Sequence, residues 1–316
     1  MNQEKITLLS HQDELQLDVL LVQPDETCRG VIQIVHGMAE YKERYLPFME
    51  CMAEHGYACV IHDHRGHGKS VKAKEDLGYF YEGGKEALIE DTFQVTQFCK
   101  ERYPMLPLIL LGHSMGSLIA RNFIRKYDDQ IDILIVTGAP SKNPAVDLGL
   151  KLVKVLRKLY DDHYRSDMLQ KIAFGGYALK FRGESSHTAW ICSDPQVVKA
   201  YDQSEECGFV FTLDGFGALF GLLEETYRKT GWDVKNPRLP ILFLGGEKDP
   251  CIGSARQMRQ SMRFLKDQGY VQVTGKRYPH MRHEILNEIG KETVYENILS
   301  YIAKRNTKEN GHECSR

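Results

Sequence analysis

Short apolar runs alternate with longer amphipathic segments along most of the 316-residue chain. Each run is rich in β-branched and aliphatic residues and is closed by glycine, proline or a polar cluster, as is typical of strands buried on both faces. The pattern predicts strands at residues 31–35, 58–62, 108–111, 133–137, 241–245 and 271–277. Two further runs, 6–10 and 15–22, predict an N-terminal hairpin.

Helical periodicity fills the gaps between these strands. It predicts helices at residues 45–55, 87–102, 117–127, 255–267 and 284–303. Strands that alternate with helices are typical of an α/β fold in which a mostly parallel sheet carries helices on both faces. Together with the hairpin, the pattern predicts an eight-stranded sheet.

The alternation stops after Pro140 and resumes near Pro240. The residues in between have helical and loop character, with helices expected at 148–160 and 197–201. Because the strand pattern continues beyond Pro240, we interpret this segment as an insertion and not as an independent domain. The predicted organisation is a core of residues 1–140 and 240–305, a helical cap of residues 141–239 and a frayed polar tail of residues 306–316.

Composition excludes several other classes of protein. With 42% hydrophobic and 27% charged residues, the composition is typical of a globular protein. The formal charge of −2 provides no excess of positive charge with which to bind nucleic acid. No apolar run is long enough to cross a bilayer, and residues 1–10 lack the apolar region of a secretory signal, so we expect a cytoplasmic protein. Eight cysteines without a C-x-x-C pair argue against a structural zinc site and a disulfide scaffold.

A predicted strand, a G-x-S-x-G pentapeptide and a predicted helix follow one another at residues 108–127. In this context the serine, Ser114, stands on a strained strand-to-helix turn, and the flanking Gly112 and Gly116 let the strand and the helix approach. Its hydroxyl lies near helix N-terminal N–H groups, which favour developing negative charge. We predict that Ser114 is a nucleophile. The alternative is a turn serine without function.

A serine nucleophile needs a base, and the base needs an orienting carboxylate. The chain order that accompanies this motif is serine, acid, histidine. Predicted strand 241–245 runs into a glycine turn that ends in Asp249, at the carboxyl edge of the sheet. Asp249 is the predicted acid, and Glu247 in the same turn is its competitor.

Three histidines follow Asp249 in the chain, His280, His283 and His312. His312 belongs to the predicted tail. His283 lies where the loop after the last strand gives way to the predicted helix 284–303, close to the strand end that the base must overhang. His280 directly follows Pro279 and is interpreted as a loop residue, so His283 is the predicted base.

Two backbone amides are the predicted oxyanion hole. One is the N–H of Met115, the residue after the nucleophile, and the other is the N–H of Met38 in the loop after strand 31–35. Gly37 permits a close backbone approach there. His36 is interpreted as a packed loop histidine, because it precedes the acid in the chain.

Two features of the predicted cap bear on the substrate. Residues 148–160 form an amphipathic pattern with several lysines, which suits transient contact with an anionic membrane surface, although packing of its apolar stripe on the core is the commoner use of such a helix. Aromatic residues are candidates to line an apolar substrate pocket, although a cap core would use the same side chains. They are Phe209, Phe211, Phe216 and Phe220.

Several stretches resemble the monoacylglycerol lipase and lysophospholipase group of serine-aminopeptidase-type (S33) hydrolases. H-G-M-A-E at 36–40, followed by Arg44-Tyr45, matches the group's H-G-x-x-E…R-Y loop, and D-H-R-G-H-G-K-S at 63–70 matches its D-x-R-G-H-G-x-S loop. G-H-S-M-G at 112–116 matches its elbow. The segments 207–212 and 283–288 are similar to bacterial lysophospholipase-like members, so the resemblance covers nearly the whole chain.

The resemblance implies the α/β-hydrolase fold and hydrolysis of acyl esters such as monoacylglycerols or lysophospholipids. It implies a triad of Ser114, Asp249 and His283, with the Met38 and Met115 amides as the oxyanion hole. The group's members differ most in the cap, so the acyl chain and head group stay open. The route needs no metal or organic cofactor, and the expected partner is a small-molecule ester.

Two alternatives stay open at this point. An amide hydrolase of the prolyl-aminopeptidase type shares the fold and the triad, but needs cap carboxylates to hold a substrate ammonium. Glu184, Glu205 and Glu206 are available for that role. A non-catalytic ligand-binding member keeps the fold but usually loses the triad, which is complete here. No sequence feature bears on the oligomeric state.

Overall fold

The computed structural model describes residues 1–310 and contains one eight-stranded sheet in the order β1-β2-β4-β3-β5-β6-β7-β8. β1 pairs with β2 and β2 with β4 in antiparallel fashion, and all other neighbours are parallel. The predicted eight-stranded, mostly parallel sheet is therefore confirmed. The strands are β1 Asn2–Leu9, β2 Gln16–Gln23, β3 Gly30–Val35, β4 Tyr57–His62, β5 Leu108–His113, β6 Ile133–Thr137, β7 Ile241–Gly246 and β8 Val273–Tyr278.

Helices cover both faces of this sheet. They are α1 Leu46–Glu54, α2 Gly84–Arg102, α3 Met115–Tyr127, α4 Ala145–Leu156, α5 Asp167–Ala178, α6 Pro195–Gln203, α7 Leu213–Thr226, α8 Ala255–Asp267 and α9 Lys291–Asn310. α1 and α9 share one buried apolar cluster with one face of the sheet, while α2, α3 and α8 pack on the other face. Within residues 1–310, no helix has the length and apolar content needed to span a membrane.

The segment between β6 and β7 contains α4, α5, α6 and α7. Many of its buried side chains, such as Val153 and Phe216, belong to the same apolar cluster as Leu118 of α3. The segment therefore packs as an extension of the core. We propose to divide the chain into a core of residues 1–140 and 240–305 and a cap of residues 141–239.

Two expectations near the C-terminus need correction. The helix expected from residue 284 begins only at Lys291, because Glu284 is bonded into the site through both its amide and its carboxylate and because Gly290 adopts φ +82°. Residues 306–310, expected to be frayed, continue α9 as far as Asn310. The rest of the predicted tail, including His312, lies outside the described residues.

The sheet brings four loops to one edge. The loop after β3 carries Met38, the turn after β5 carries Ser114, and the loops after β7 and β8 carry Asp249 and His283. Parallel neighbours end at the same edge, so residues far apart in sequence meet there. This edge, covered by residues of the cap, is the candidate site.

Candidate active site

Ser114 occupies a strained turn between β5 and α3. Its backbone has φ +52° and ψ −116°, a conformation that non-glycine residues rarely adopt. A Cβ on Gly116 would lie 1.9 Å from the Val35 carbonyl oxygen, so only glycine lets α3 come this close to β3. The sequence therefore builds a turn that lifts the Ser114 hydroxyl above the sheet edge.

Ser114, His283 and Asp249 form one chain of hydrogen bonds. His283 Nδ1 lies 3.0 Å from Asp249 Oδ2, and His283 Nε2 lies 2.8 Å from Ser114 Oγ. A carboxylate only accepts, so Nδ1 carries the proton and Nε2 is left to accept from the serine hydroxyl. The Cys251 amide donates to Asp249 Oδ1 at 2.7 Å and holds the carboxylate in place. Asp249 and His283 are both buried.

The competing residues lie elsewhere. Glu247 is exposed on the turn after β7 and does not contact His283. His280 is exposed too, at φ +64° in the loop after β8. The structure thus brings together the three predicted side chains and leaves both competitors in solvent. His312 lies outside the described residues.

The charge state of His283 predicts an acid limit for activity. Burial disfavours its charged form, but the carboxylates of Asp249, Glu284 and Glu40 together outweigh burial, with the largest contribution from Asp249, so the pKa of His283 is raised above its usual 6.5. Because a base must be neutral to accept the serine proton, kcat/KM should begin to fall while the pH is still above 6.5.

A pH profile of kcat/KM checks this expectation. Asp249→Asn removes the carboxylate that favours the imidazolium, so the acid limb of the variant should move to lower pH. A parent profile whose midpoint lies below the ordinary histidine value would contradict it.

Two backbone amides beside Ser114 have no hydrogen-bond acceptor among the described residues. Within the described part of the chain, neither the Met38 amide nor the Met115 amide donates to a protein acceptor. Met115 is the first residue of α3, where N–H groups have no intrahelical acceptor. A Cβ on Gly37 would lie 3.2 Å from Ser114 Cβ, which shows how closely the β3 loop approaches the serine. The two free N–H groups can receive an oxygen that develops negative charge.

A buried charge network ties the β3 loop to the β8 loop. Arg44 donates from Nη1 to Glu40 at 2.5 Å and makes two bonds to the Glu284 carboxylate, at 2.9 and 2.6 Å. Glu40 also accepts from the Gly37 amide at 2.6 Å and from the Tyr45 hydroxyl. Arg44 thereby holds the loop that carries Met38 against the residue that follows His283.

Four buried histidines at the end of β4 and in the loops that follow β3 and β4 pack together. They are His36, His62, His64 and His67, whose neighbouring rings have centroids 4.0 to 6.1 Å apart. Burial lowers the pKa of His62 to about 3 and that of His67 to about 4, and lowers the pKa of His36 and His64 as well. The cluster is therefore neutral in the folded protein at neutral pH.

These histidines predict a loss of stability in acid. Below pH 6.5 the unfolded chain binds protons that the folded cluster excludes, so the free energy of unfolding should decrease as the pH falls from 6.5 towards 3. His62→Phe should make this decrease shallower, because phenylalanine binds no proton in either state. The change breaks no hydrogen bond of the side chain, since neither ring nitrogen of His62 has a partner within residues 1–310. Urea unfolding at several pH values measures both, and a parent stability that is flat between pH 6.5 and about 4 would contradict the expectation.

Two cavities meet at Ser114. The large cavity, of about 440 Å³, has a mixed lining and includes His283, and the narrow cavity, of about 50 Å³, has a mostly apolar lining and does not. Polar groups of the large cavity are Glu40, His113, Gln170, Lys171, His187, Thr188, Tyr201 and Glu284. Apolar groups of the narrow cavity include Met38, Met115, Leu118, Val146, Ile172, Phe174, Leu219, Phe220 and Leu223.

The expected aromatic lining is only partly correct. Phe209 lines the large cavity and Phe220 lines the narrow one. Phe211 and Phe216 do not line either cavity, because they are fully buried in the core cluster against neighbouring aromatic rings. The expectation for these two residues is therefore corrected.

Sequence reasoning assigned no role to several residues of the site. The Trp190 ring packs at a tilt against His283 with ring centroids 5.0 Å apart, and Tyr201 lines the large cavity. Both come from the cap, where no local motif marks them. Arg44 belongs to the H-G-x-x-E…R-Y motif, and its spacing from Glu40 was the available signal.

One group of side chains within residues 1–310 is close enough to hold a metal ion, namely Asp249, Cys251 and His283. Asp249 and His283 already bond each other through Oδ2 and Nδ1. The hydrogen bond between Asp249 and His283, together with the bond from the Cys251 amide to Asp249, explains why these three residues lie close together.

Comparisons with known proteins bear on the family and the fold. Residues 26–290 match the family model described as serine aminopeptidase, S33. A monoacylglycerol lipase of Mycolicibacterium smegmatis is 27% identical over 88% of this chain and 90% of its own length. The phospholipase YtpA of Bacillus subtilis is 33% identical over 40% of this chain and 45% of its own length.

Solved structures give the same fold. A thermostable carboxyl esterase from Bacillus coagulans superposes with a TM-score of 0.89 at 25% identity and covers 96% of this chain and 99% of its own. A monoglyceride lipase from Saccharomyces cerevisiae, at 17% identity, has a TM-score of 0.73 over 96% of this chain and 94% of its own. The predicted fold and the resemblance are both confirmed. With most of its length matched by the family model, the chain belongs to the serine aminopeptidase S33 family of α/β-hydrolases.

Proposed function

We propose that this protein hydrolyses small acyl esters such as monoacylglycerols or lysophospholipids through a serine acyl-enzyme. The observation that carries the proposal is the chain of hydrogen bonds from Asp249 through His283 to Ser114, beside two unpartnered amides. The assignment to the ester hydrolases is confirmed by the family match and by relatives named as monoacylglycerol lipase, phospholipase and carboxyl esterase.

The mechanism follows from the atoms in contact. His283 Nε2 accepts the proton of Ser114 as Oγ attacks the ester carbonyl, and the Met38 and Met115 amides donate to the resulting oxyanion. Collapse of the tetrahedral intermediate expels the alcohol, which takes the proton from His283. Water then enters, gives its proton to His283 and attacks the acyl-enzyme, which releases the acid and restores the Ser114 hydroxyl.

The two cavities suit the two halves of such a substrate. The leaving oxygen must reach His283, so the alcohol occupies the large cavity, which His283 lines together with polar groups. The acyl chain then occupies the narrow cavity, whose apolar wall includes both Met38 and Met115. A polar alcohol joined to an apolar chain fits this division.

The geometry favours esters over the peptide alternative. Glu184 pairs with Arg282, Glu205 pairs with Lys74, and Glu206 lines a separate pocket. None of the three lines the large cavity. The carboxylates that do line it, Glu40 and Glu284, are already bonded to Arg44 and are poorly placed to hold a substrate ammonium.

Helix α4 supports a proposed contact with lipid surfaces. Its buried stripe, which includes Val146 and Val153, packs towards α7, while Leu148 and Val155 are exposed beside Lys151. Apolar side chains among cations suit the interface of an anionic membrane. Transient membrane contact through the cap stays a prediction, as does the cytoplasmic location.

Hydrolysis of a p-nitrophenyl ester series from acetyl to palmitoyl tests the proposal. A monoacylglycerol, a lysophospholipid and a proline amide are assayed beside it, with Ser114→Ala as the control. Ester cleavage that vanishes in the control supports the proposal. Cleavage of the amide alone would favour the peptidase, and no measurable hydrolysis of any substrate would favour a ligand-binding role.

A further inference from the structure

The turn that presents Met38 is held from both sides. Ala39, the next residue, has φ +51°, a left-handed conformation that a residue with a Cβ rarely adopts. Its amide donates to Nε2 of the buried His67 at 3.2 Å. Its carbonyl accepts from the Tyr201 hydroxyl and from the Gly208 amide, each at 3.0 Å. These bonds hold the strained turn in place.

The two donors to the Ala39 carbonyl come from the cap. Tyr201 lies in α6, and Gly208 lies in the loop between α6 and α7. Among the described residues, no other group donates to this carbonyl. The turn therefore depends on the cap for one of its two sides, while His67 belongs to the loop after β4 on the core.

We propose that Tyr201 is a positioning residue for the oxyanion hole. Through its bond to the Ala39 carbonyl it fixes the turn that aims the Met38 amide at the reacting oxygen. Seating of the cap and completion of the oxyanion hole are then one event, because a displaced cap takes both donors away from the strained residue. The inference rests on the proposed function.

The size of the effect can be bounded. Loss of one oxyanion-hole donor typically lowers kcat by about a hundredfold to a thousandfold. Removing the Tyr201 hydroxyl leaves the Gly208 and His67 bonds in place, so the turn loses one neutral hydrogen bond of three. A bond of that kind corresponds to a loss of about threefold to tenfold.

The Tyr201 ring also has contacts that need to be separated from this role. Its ring lines the large cavity, and the Arg44 guanidinium lies 4.9 Å from the ring centroid. Phenylalanine keeps the ring and hence both contacts. Tyr201→Phe therefore removes the bond to Ala39 and little else.

The experiment compares Tyr201→Phe with the parent enzyme on p-nitrophenyl butyrate. We expect kcat to fall by about threefold to tenfold with KM unchanged. Affinity for a trifluoromethyl ketone, whose adduct with serine places an oxyanion in the hole, should fall by the same factor. The acid limb of the pH profile should stay in place, since the Asp249–His283 bond is untouched.

Two further variants complete the test. Tyr160→Phe changes a half-exposed cap tyrosine that stacks on Tyr164 and does not line the large cavity, and it should leave kcat and ketone affinity unchanged. Gly208→Ala acts on the same carbonyl from the other donor, because Gly208 has φ +66° and an added Cβ would lie 3.3 Å from Tyr201 Cε1. It should lower kcat and ketone affinity together.

Three outcomes overturn the inference. They are an unchanged kcat in Tyr201→Phe, a loss that appears in KM alone, and a lower unfolding temperature with kcat and ketone affinity intact. An inactive parent enzyme would instead overturn the proposed function. An active parent with unchanged variants would overturn only the role of Tyr201.

Discussion

His283→Ala should lower kcat for ester hydrolysis by at least about 10⁴-fold. The imidazole is the group within 2.8 Å of Ser114 Oγ, and it is also the group that must return a proton to the leaving alcohol. Alanine at this position leaves the serine without a base and leaves Asp249 buried without its imidazole partner. Steady-state kinetics on p-nitrophenyl esters measures the loss.

His280→Ala is the matched control for this prediction. His280 lies three residues earlier in the same loop, but it is exposed, so the variant should keep most of the parent activity. Circular dichroism of both variants confirms that each is folded. Retained activity in His283→Ala, or its loss in His280→Ala alone, would show that the base is wrongly assigned.

Gly116→Ala should remove about 1–3 kcal/mol from the free energy of unfolding and abolish labelling of Ser114 by a fluorophosphonate. The added Cβ would lie 1.9 Å from the Val35 carbonyl oxygen and 2.5 Å from that of His36. Both are backbone atoms, so no side chain can rotate away and α3 must shift against β3. The shift would also displace the loop that carries Met38.

Gly176→Ala provides the comparison for this steric effect. Gly176 lies within α5, and a Cβ there would have no neighbour within 4 Å. Alanine should therefore leave stability unchanged or raise it by up to about 1 kcal/mol, since alanine is the better helix former. Urea unfolding of both variants would contradict the argument if Gly116→Ala were as stable as Gly176→Ala.

The parts of the fold that could be predicted are those marked by a pattern of neighbouring residues in the sequence. Parallel strands buried on both faces read as uninterrupted apolar runs, so β3 to β7 were placed within a few residues. The elbow was equally local, because its serine and glycines lie within five adjacent positions. The chain order of the motif then led to Asp249 and His283, which the structure brings into hydrogen-bond contact.

The parts that were missed depend on contacts between distant segments. Residue 284 was expected to begin a helix, but Arg44, 240 positions earlier, holds the Glu284 carboxylate and keeps this segment in a turn. Phe211 looked like a pocket residue, yet it packs in the core against Phe80 and Phe216. Aromatic residues look alike in sequence whether they line a cavity or fill a core.

The separation of the site residues along the chain has a consequence for folding. Ser114 and His283 are 169 positions apart, and each lies in a loop that directly follows a strand of the parallel sheet. Contacts of such long range close late and make folding slow, because the loop-closure entropy is lost before the contacts form. We therefore expect Ser114 to become reactive only after β8 has joined the sheet, and we expect a nascent chain that ends before β8 to show no fluorophosphonate labelling of this serine.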